Sequence, residues 1–103
     1  MVTLAAGLLV MVIEFSVIPE KRAEFVAMTA ERVPQVRAFD GNVQFEVLVD
    51  EARPNVVLYL ERWKSQEQQS AFLAWWQAQG MYDRMRPLVT APPKVTAYRQ
   101  AVD

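Results

Sequence analysis

Tyr59, Glu61 and Trp63 alternate along the apolar run at residues 56–63, so an extended chain sets all three on one face with Val57. A phenol can donate a hydrogen bond to a ligand oxygen, and an indole can stack on an aromatic ring. A carboxyl in an apolar hollow has a raised pKa and can act as a base. Glu61 is otherwise a structural partner of Arg62 or of Arg99 on a neighbouring strand, and Trp63 is otherwise a core residue under a helix. Past Gly80 stand Tyr82, Arg84 and Arg86. A guanidinium from either arginine at a pocket rim can stabilise a phenolate or enolate as it forms, and Tyr82 can donate there too. A solvated surface position is the commoner fate of such arginines.

The chain contains neither histidine nor cysteine. Thiolate nucleophiles, disulfides and zinc–sulfur sites are removed together, as are the commonest general base, metal ligand and axial haem ligand. No Asp/Glu cluster has metal-ligand spacing and no glycine-rich phosphate loop is present, so no cofactor is expected. Eleven basic and twelve acidic residues, without a basic stripe, argue against a nucleic-acid partner.

The elements that must hold these groups follow from periodicity. Residues 8–17 read as a first strand with Ile13, Phe15 and Val17 on one side. Pro19 suits the first turn of a helix at about 20–33, with a stripe of Ala23, Val26, Ala27, Ala30 and Val33 and a stop or kink at Pro34. Asp40-Gly41 marks a turn before a strand at 43–49, where Val43, Phe45, Val47 and Val49 alternate with Gln44, Glu46 and Leu48. A polar hairpin connection leads to the 56–63 strand. Ser65 and Gln68 then form a capping-box signature for a helix carrying Phe72, Trp75 and Trp76, which Gly80 stops. Residues 81–86 add a turn or two, 88–94 run extended, and 95–102 form the last strand.

This order is β-α-β-β-α-β, an α+β ferredoxin-like pattern with a four-stranded antiparallel sheet and both helices on one face. At 103 residues the chain is read as a single domain. The apolar outer rows Val10/Val12 and Val56/Leu58/Leu60 call for a cover, and a second copy meeting sheet to sheet supplies one. Residues 1–13 are nearly all apolar but lack a positive leader and are too short to span a bilayer as a helix. The expectation is an apolar extension over 1–10 running into the first strand, with Met11 an alternative natural start, in a soluble cytoplasmic protein that does not engage membranes.

The run Leu58-Tyr59-Leu60-Glu61-Arg62-Trp63-Lys64-Ser65 resembles the YERW-x-S signature of the antibiotic-biosynthesis monooxygenase domain. Phe39-Asp40-Gly41-Asn42 leading into Phe45-Glu46-Val47, and Arg86-Pro87-Leu88 through Pro92 to Tyr98, are similar to the same family in order and spacing. The resemblance spans about residues 11–100. It implies a dimeric α+β barrel with a pocket between sheet and helices, and O₂-dependent oxidation of small electron-rich aromatics such as quinols, phenols or anthrones without metal or flavin. In this chain Trp63, Arg84 and Tyr82 are the candidate catalytic residues, and Tyr59, Phe72, Trp76 and Glu61 the candidate substrate-binding ones. Many family members carry a histidine nine residues after the tryptophan, where this chain has Phe72, and often a second where it has Gln77. A histidine-dependent mechanism and the haem-degrading branch are therefore closed to it. The expected function is a cofactor-independent monooxygenase. The alternatives are a non-catalytic dimeric protein binding a small apolar ligand, or an isomerase or cyclase of the same fold.

Overall fold

The computed structural model describes residues 7–102. Part of the expected apolar extension, residues 1–6, lies outside the described residues, whereas Leu9 and Val10 already belong to the first strand. Four strands, β1 (Leu9–Ser16), β2 (Asn42–Val49), β3 (Val56–Trp63) and β4 (Lys94–Arg99), form one antiparallel sheet in the order β2-β3-β1-β4. Four helices, α1 (Arg22–Ala30), α2 (Val33–Arg37), α3 (Gln66–Ala78) and α4 (Met81–Met85), complete the α+β ferredoxin-like fold. The sheet's inner face, with Leu9, Met11, Ile13 and Phe15 of β1 and Val57, Tyr59 and Trp63 of β3, shares one core with Phe25, Met28, Phe72 and Trp76 from the helices.

The first helical stretch departs from its expected form in two ways. It ends at Ala30 and restarts at Val33, because Pro34 has no amide to offer and its ring crowds the carbonyl of Ala30 four residues back. Within α1 the buried face is Phe25, Met28 and Thr29, while Ala23, Ala27 and Ala30 of the expected stripe are exposed. Burying a phenylalanine is worth about 2 kcal/mol and an alanine far less, so the helix turns its large side chains inward.

The second helical stretch follows its signals. Ser65 Oγ accepts from the Gln68 amide at 3.2 Å, although the Gln68 side chain returns to the Ser65 hydroxyl rather than to its backbone. Gly80, with a φ of 72°, terminates α3 and donates its amide to the Gln77 carbonyl. Gly41 (φ 91°) is required twice over, because a Cβ there would lie 2.4 Å from the Gln68 side chain.

Two strands differ in detail from the sequence reading. β4 stops at Arg99 rather than running to Val102. In β2 the pairs Asn42↔Trp63 and Gln44↔Arg62 leave Val43 with no partner, a bulge that puts this residue, expected in one row with the buried Phe45, out at 48% exposure. The connection into β4 is pinned to the end of β1 by Ile18 N–H to Leu88 O (2.9 Å) and Thr90 N–H to Ser16 O (2.8 Å). Those two bonds fix where Pro92, Pro93 and β4 approach the core.

Candidate functional site

Between the inner face of the sheet and α3 lies a cavity of about 190 Å³. Met11, Ile13 and Phe15 of β1 and Tyr59 and Glu61 of β3 form its floor, and Gln69, Phe72, Leu73 and Trp76 of α3 form its roof. Tyr82, Met85, Pro93 and Val95 surround its mouth. It exceeds the roughly 150 Å³ of an apolar protein cavity that takes up benzene. Almost everything in it is hydrocarbon, so each polar group it contains counts.

Glu61 is the first of these groups, and its position follows from strand register. Its neighbours across the sheet are Met11 on β1 and Phe45 on β2, and Tyr59 and Trp63 flank it two residues away on the same face. None of the four carries a positive charge. The two cations expected as structural partners lie elsewhere. Arg62 points to the other face, bonding Gln44 and Gln100, and Arg99 donates to the Gly7 carbonyl. Glu61 is fully buried, and burial raises its carboxyl to about 7, partly offset by a hydrogen bond from Trp63 Nε1 to Oε1 at 2.8 Å. The other oxygen, Oε2, has no hydrogen-bond partner among the described residues. A buried acceptor left open in this way is costly unless a ligand or water meets it.

Trp63 is fully buried and does not line the cavity. Its ring packs on Phe72 at 5.0 Å and edge-on to Phe39 at 6.2 Å. It reaches the cavity only through its bond to Glu61.

Tyr59 presents its ring to the cavity but not a free proton. Its hydroxyl bonds Thr29 Oγ1, and Thr29 Oγ1 donates to the Phe25 carbonyl at 3.1 Å. With the threonine proton committed to Phe25, the tyrosine must be the donor to Thr29. Burial pushes the Tyr59 phenol well above its ordinary pKa, so it stays protonated.

Gln69 is the residue that inspection of the sequence missed. It is buried and its carboxamide-bearing side chain lines the cavity. The signal was present: Gln69, Phe72 and Trp76 fall at i, i+3 and i+7, so a polar residue extends the apolar stripe of α3 by one turn. Trp76 walls the cavity, whereas Trp75 packs outside it against Phe39.

At the mouth, Tyr82 is 41% exposed, and its phenol is raised by partial burial and by the Glu61 charge. The arginines do not join the cavity. Arg84 lies in a separate cleft with Glu24, Met28 and Leu88, ion-paired to Glu31 at 3.1 Å. Arg86 is exposed and paired with Asp83 at 2.7 Å. The site therefore combines one unpaired carboxylate oxygen, one carboxamide and one rim phenol in an apolar hollow. Among the described residues no group of three or more acidic side chains is placed to hold a metal ion, and no helix is long and apolar enough to cross a membrane.

Comparison with known proteins bears on the fold and the family. A conserved protein of Methanosarcina mazei Go1 superimposes with a TM-score of 0.86 over 94% of this chain and 96% of its own, at 16% identity. A monooxygenase from the gene ActVA-Orf6 of Streptomyces coelicolor, solved with the ligand Nanaomycin D, gives a TM-score of 0.79 at 18% identity, covering 96% of this chain and 91% of that one. YcnE of Bacillus subtilis (strain 168), whose name assigns it provisionally to the monooxygenases, is 30% identical over 74 residues, 72% of this chain and 78% of its own. Residues 8–86 match the family described as antibiotic biosynthesis monooxygenase. The chain belongs to the antibiotic biosynthesis monooxygenase family.

Proposed function

We propose that this protein oxidises a small electron-rich aromatic molecule, a quinol, phenol or anthrone, with O₂ and without a cofactor, using Glu61 as the base. The observation that carries the reading is the open Oε2 of a fully buried carboxyl in an otherwise apolar cavity. For an anthrone-like substrate the ring methylene loses a proton to Oε2, and the carbanion passes one electron to O₂. Substrate radical and superoxide then combine to a peroxide, which takes back the proton from Glu61. Loss of water leaves a carbonyl where the methylene stood, so one oxygen atom enters the product and the other leaves as water. The protein contributes orientation and a water-poor setting, with Gln69 and Tyr82 as the donors available to the substrate oxygen while it carries negative charge. Trp63 serves by holding Glu61, and Arg84 has no direct part.

The reading includes association of two copies through the open sheet face. Val12, Leu58 and Leu60 form its centre, with Leu48 and Tyr98 exposed at its edges, and no helix among the described residues covers them. Sedimentation of the wild type and of Leu60→Glu checks this point; a monomeric wild type removes it.

Aerobic turnover of menadiol or an anthrone, followed by oxygen uptake and product mass, tests the activity. Conversion no faster than the buffer blank sinks the monooxygenase reading. A second reading, a carrier for a small apolar ligand, is favoured by one feature: Phe72 puts hydrocarbon in the cavity roof. Binding of naphthol without consumption under oxygen distinguishes it, and a product of unchanged mass identifies isomerisation instead.

A further inference from the structure

We infer that the cavity is the inner half of a two-part ligand site, and that the outer half takes an acidic arm on the ligand, read by Arg86. The inference rests on the ring-binding reading of the inner cavity and adds a ligand class to it. A second hollow of about 410 Å³ adjoins the first and shares Phe15, Tyr82, Met85 and Pro93 with it. Beyond that shared boundary it continues over Val89, Ala91 and Pro92 to Arg86. All the residues of this outer groove except Phe15 come from α4 and the connection into β4, the stretch that the hydrogen bonds at Leu88 and Thr90 fasten to the end of β1. The groove is therefore a fixed feature of the fold.

Its chemistry is graded. The wall next to the cavity is apolar, and Arg86 is the charged residue that lines the groove. Tyr82, Met85 and Pro93 line both hollows, so a substituent on a ring seated against Glu61 can pass from the cavity into a groove of mostly apolar residues that also contains the Arg86 guanidinium. The matching molecule is a small aromatic bearing a short alkyl chain that ends in a carboxylate. Arg86 already holds Asp83, but that pair is 72% and 80% exposed and three residues apart in sequence, an arrangement worth little in water. Asp83 can turn to solvent while the planar fork of Arg86 accepts a ligand carboxylate on two nitrogens. The inner cavity selects for an oxidisable ring, and the groove selects for the acid it carries.

The test uses binding, so that it is readable even if turnover fails. 1-Naphthol, a 1-naphthol carrying a carboxypropyl arm, and the methyl ester of that acid are titrated into the full chain, with Trp76 in the cavity wall as the fluorescent reporter. The acid is expected to bind more tightly than the ester. Arg86→Ala should remove about fivefold of the acid's affinity, the ceiling for an exposed charge pair, and leave the ester unchanged. Asp83→Asn, which frees Arg86, should improve the acid and again leave the ester unchanged. Equal binding of acid and ester, insensitive to both variants, overturns the acidic arm while the inner-cavity reading stands. Tighter binding of the acid by Arg86→Ala also overturns it, because the guanidinium would then be hindering the arm rather than holding it. Failure of plain naphthol to bind removes both readings.

Discussion

Replacing Glu61 with glutamine is expected to flatten the protein's pH–stability curve while stopping turnover. Burial raises the carboxyl from 4.5 to about 7, so the folded chain holds this proton more tightly than the unfolded chain does. The stabilisation from that preference is complete below pH 4.5, declines as pH rises through about 7, and is gone above it. At about 1.4 kcal/mol per pH unit, the loss across this window is about 3 kcal/mol. Glutamine is neutral throughout and its Oε1 can still accept from Trp63 Nε1, so the variant lacks this slope. The difference in unfolding free energy, variant minus wild type, should therefore grow by about 3 kcal/mol from pH 4.5 to pH 8. Urea unfolding at several pH values, followed by tryptophan fluorescence, measures it directly. Turnover should fall by about 10²–10⁴-fold, the usual worth of a positioned base. If the two stability curves run parallel across the window, the carboxyl is not titrating in the buried environment described here, and the assignment of a base falls with it.

Wild-type kcat/KM should rise with pH through a single ionisation near 7, as Glu61 loses its proton; a flat profile from pH 5 to 9 contradicts this. Trp63→Phe removes the indole N–H that favours the charged form of Glu61, so the acid limb of the profile should move up by about one pH unit, a hydrogen bond to a charge being worth about 1.5 kcal/mol or more. Tyr59→Phe deletes a donor already committed to Thr29; it should cost about 1 kcal/mol of stability in urea and change kcat less than about threefold. Arg84→Ala, outside the cavity, should leave turnover of any accepted aromatic within about twofold of wild type, and a hundredfold loss refutes its placement.

The sheet was readable because strands announce themselves by alternation, and the inner rows Ile13/Phe15 and Tyr59/Glu61/Trp63 fell where period two puts them. The β-α-β-β-α-β order and the family resemblance carried the topology. Helix faces were harder. In α1, alanines at helical spacing suggested a stripe, but size decides which face is buried, and Phe25 and Met28 outweigh three alanines. The bulge at Val43 left no mark, because one extra residue in a strand of apolar and polar alternation reads like a continuation of it. Within the site, Glu61 was visible as a charge on an inward row. What it lacked was not, since the absence of a cation beside it depends on which residues of β1 and β2 stand opposite. The commitment of the Tyr59 proton to Thr29 and the separation of Arg84 from the cavity are likewise matters of three-dimensional register that spacing alone does not encode.

The bulge at Val43 bears on how copies of this protein avoid one another. β2 is an outer strand, and a straight outer strand is a template on which foreign chains can crystallise into fibrils. Here the extra residue bends the strand, and Arg37 occupies the Phe45 carbonyl and pairs with Glu46 along the same margin. Lateral growth of the sheet is thus disfavoured at the β2 margin, where the ladder is interrupted and a guanidinium already occupies a free carbonyl.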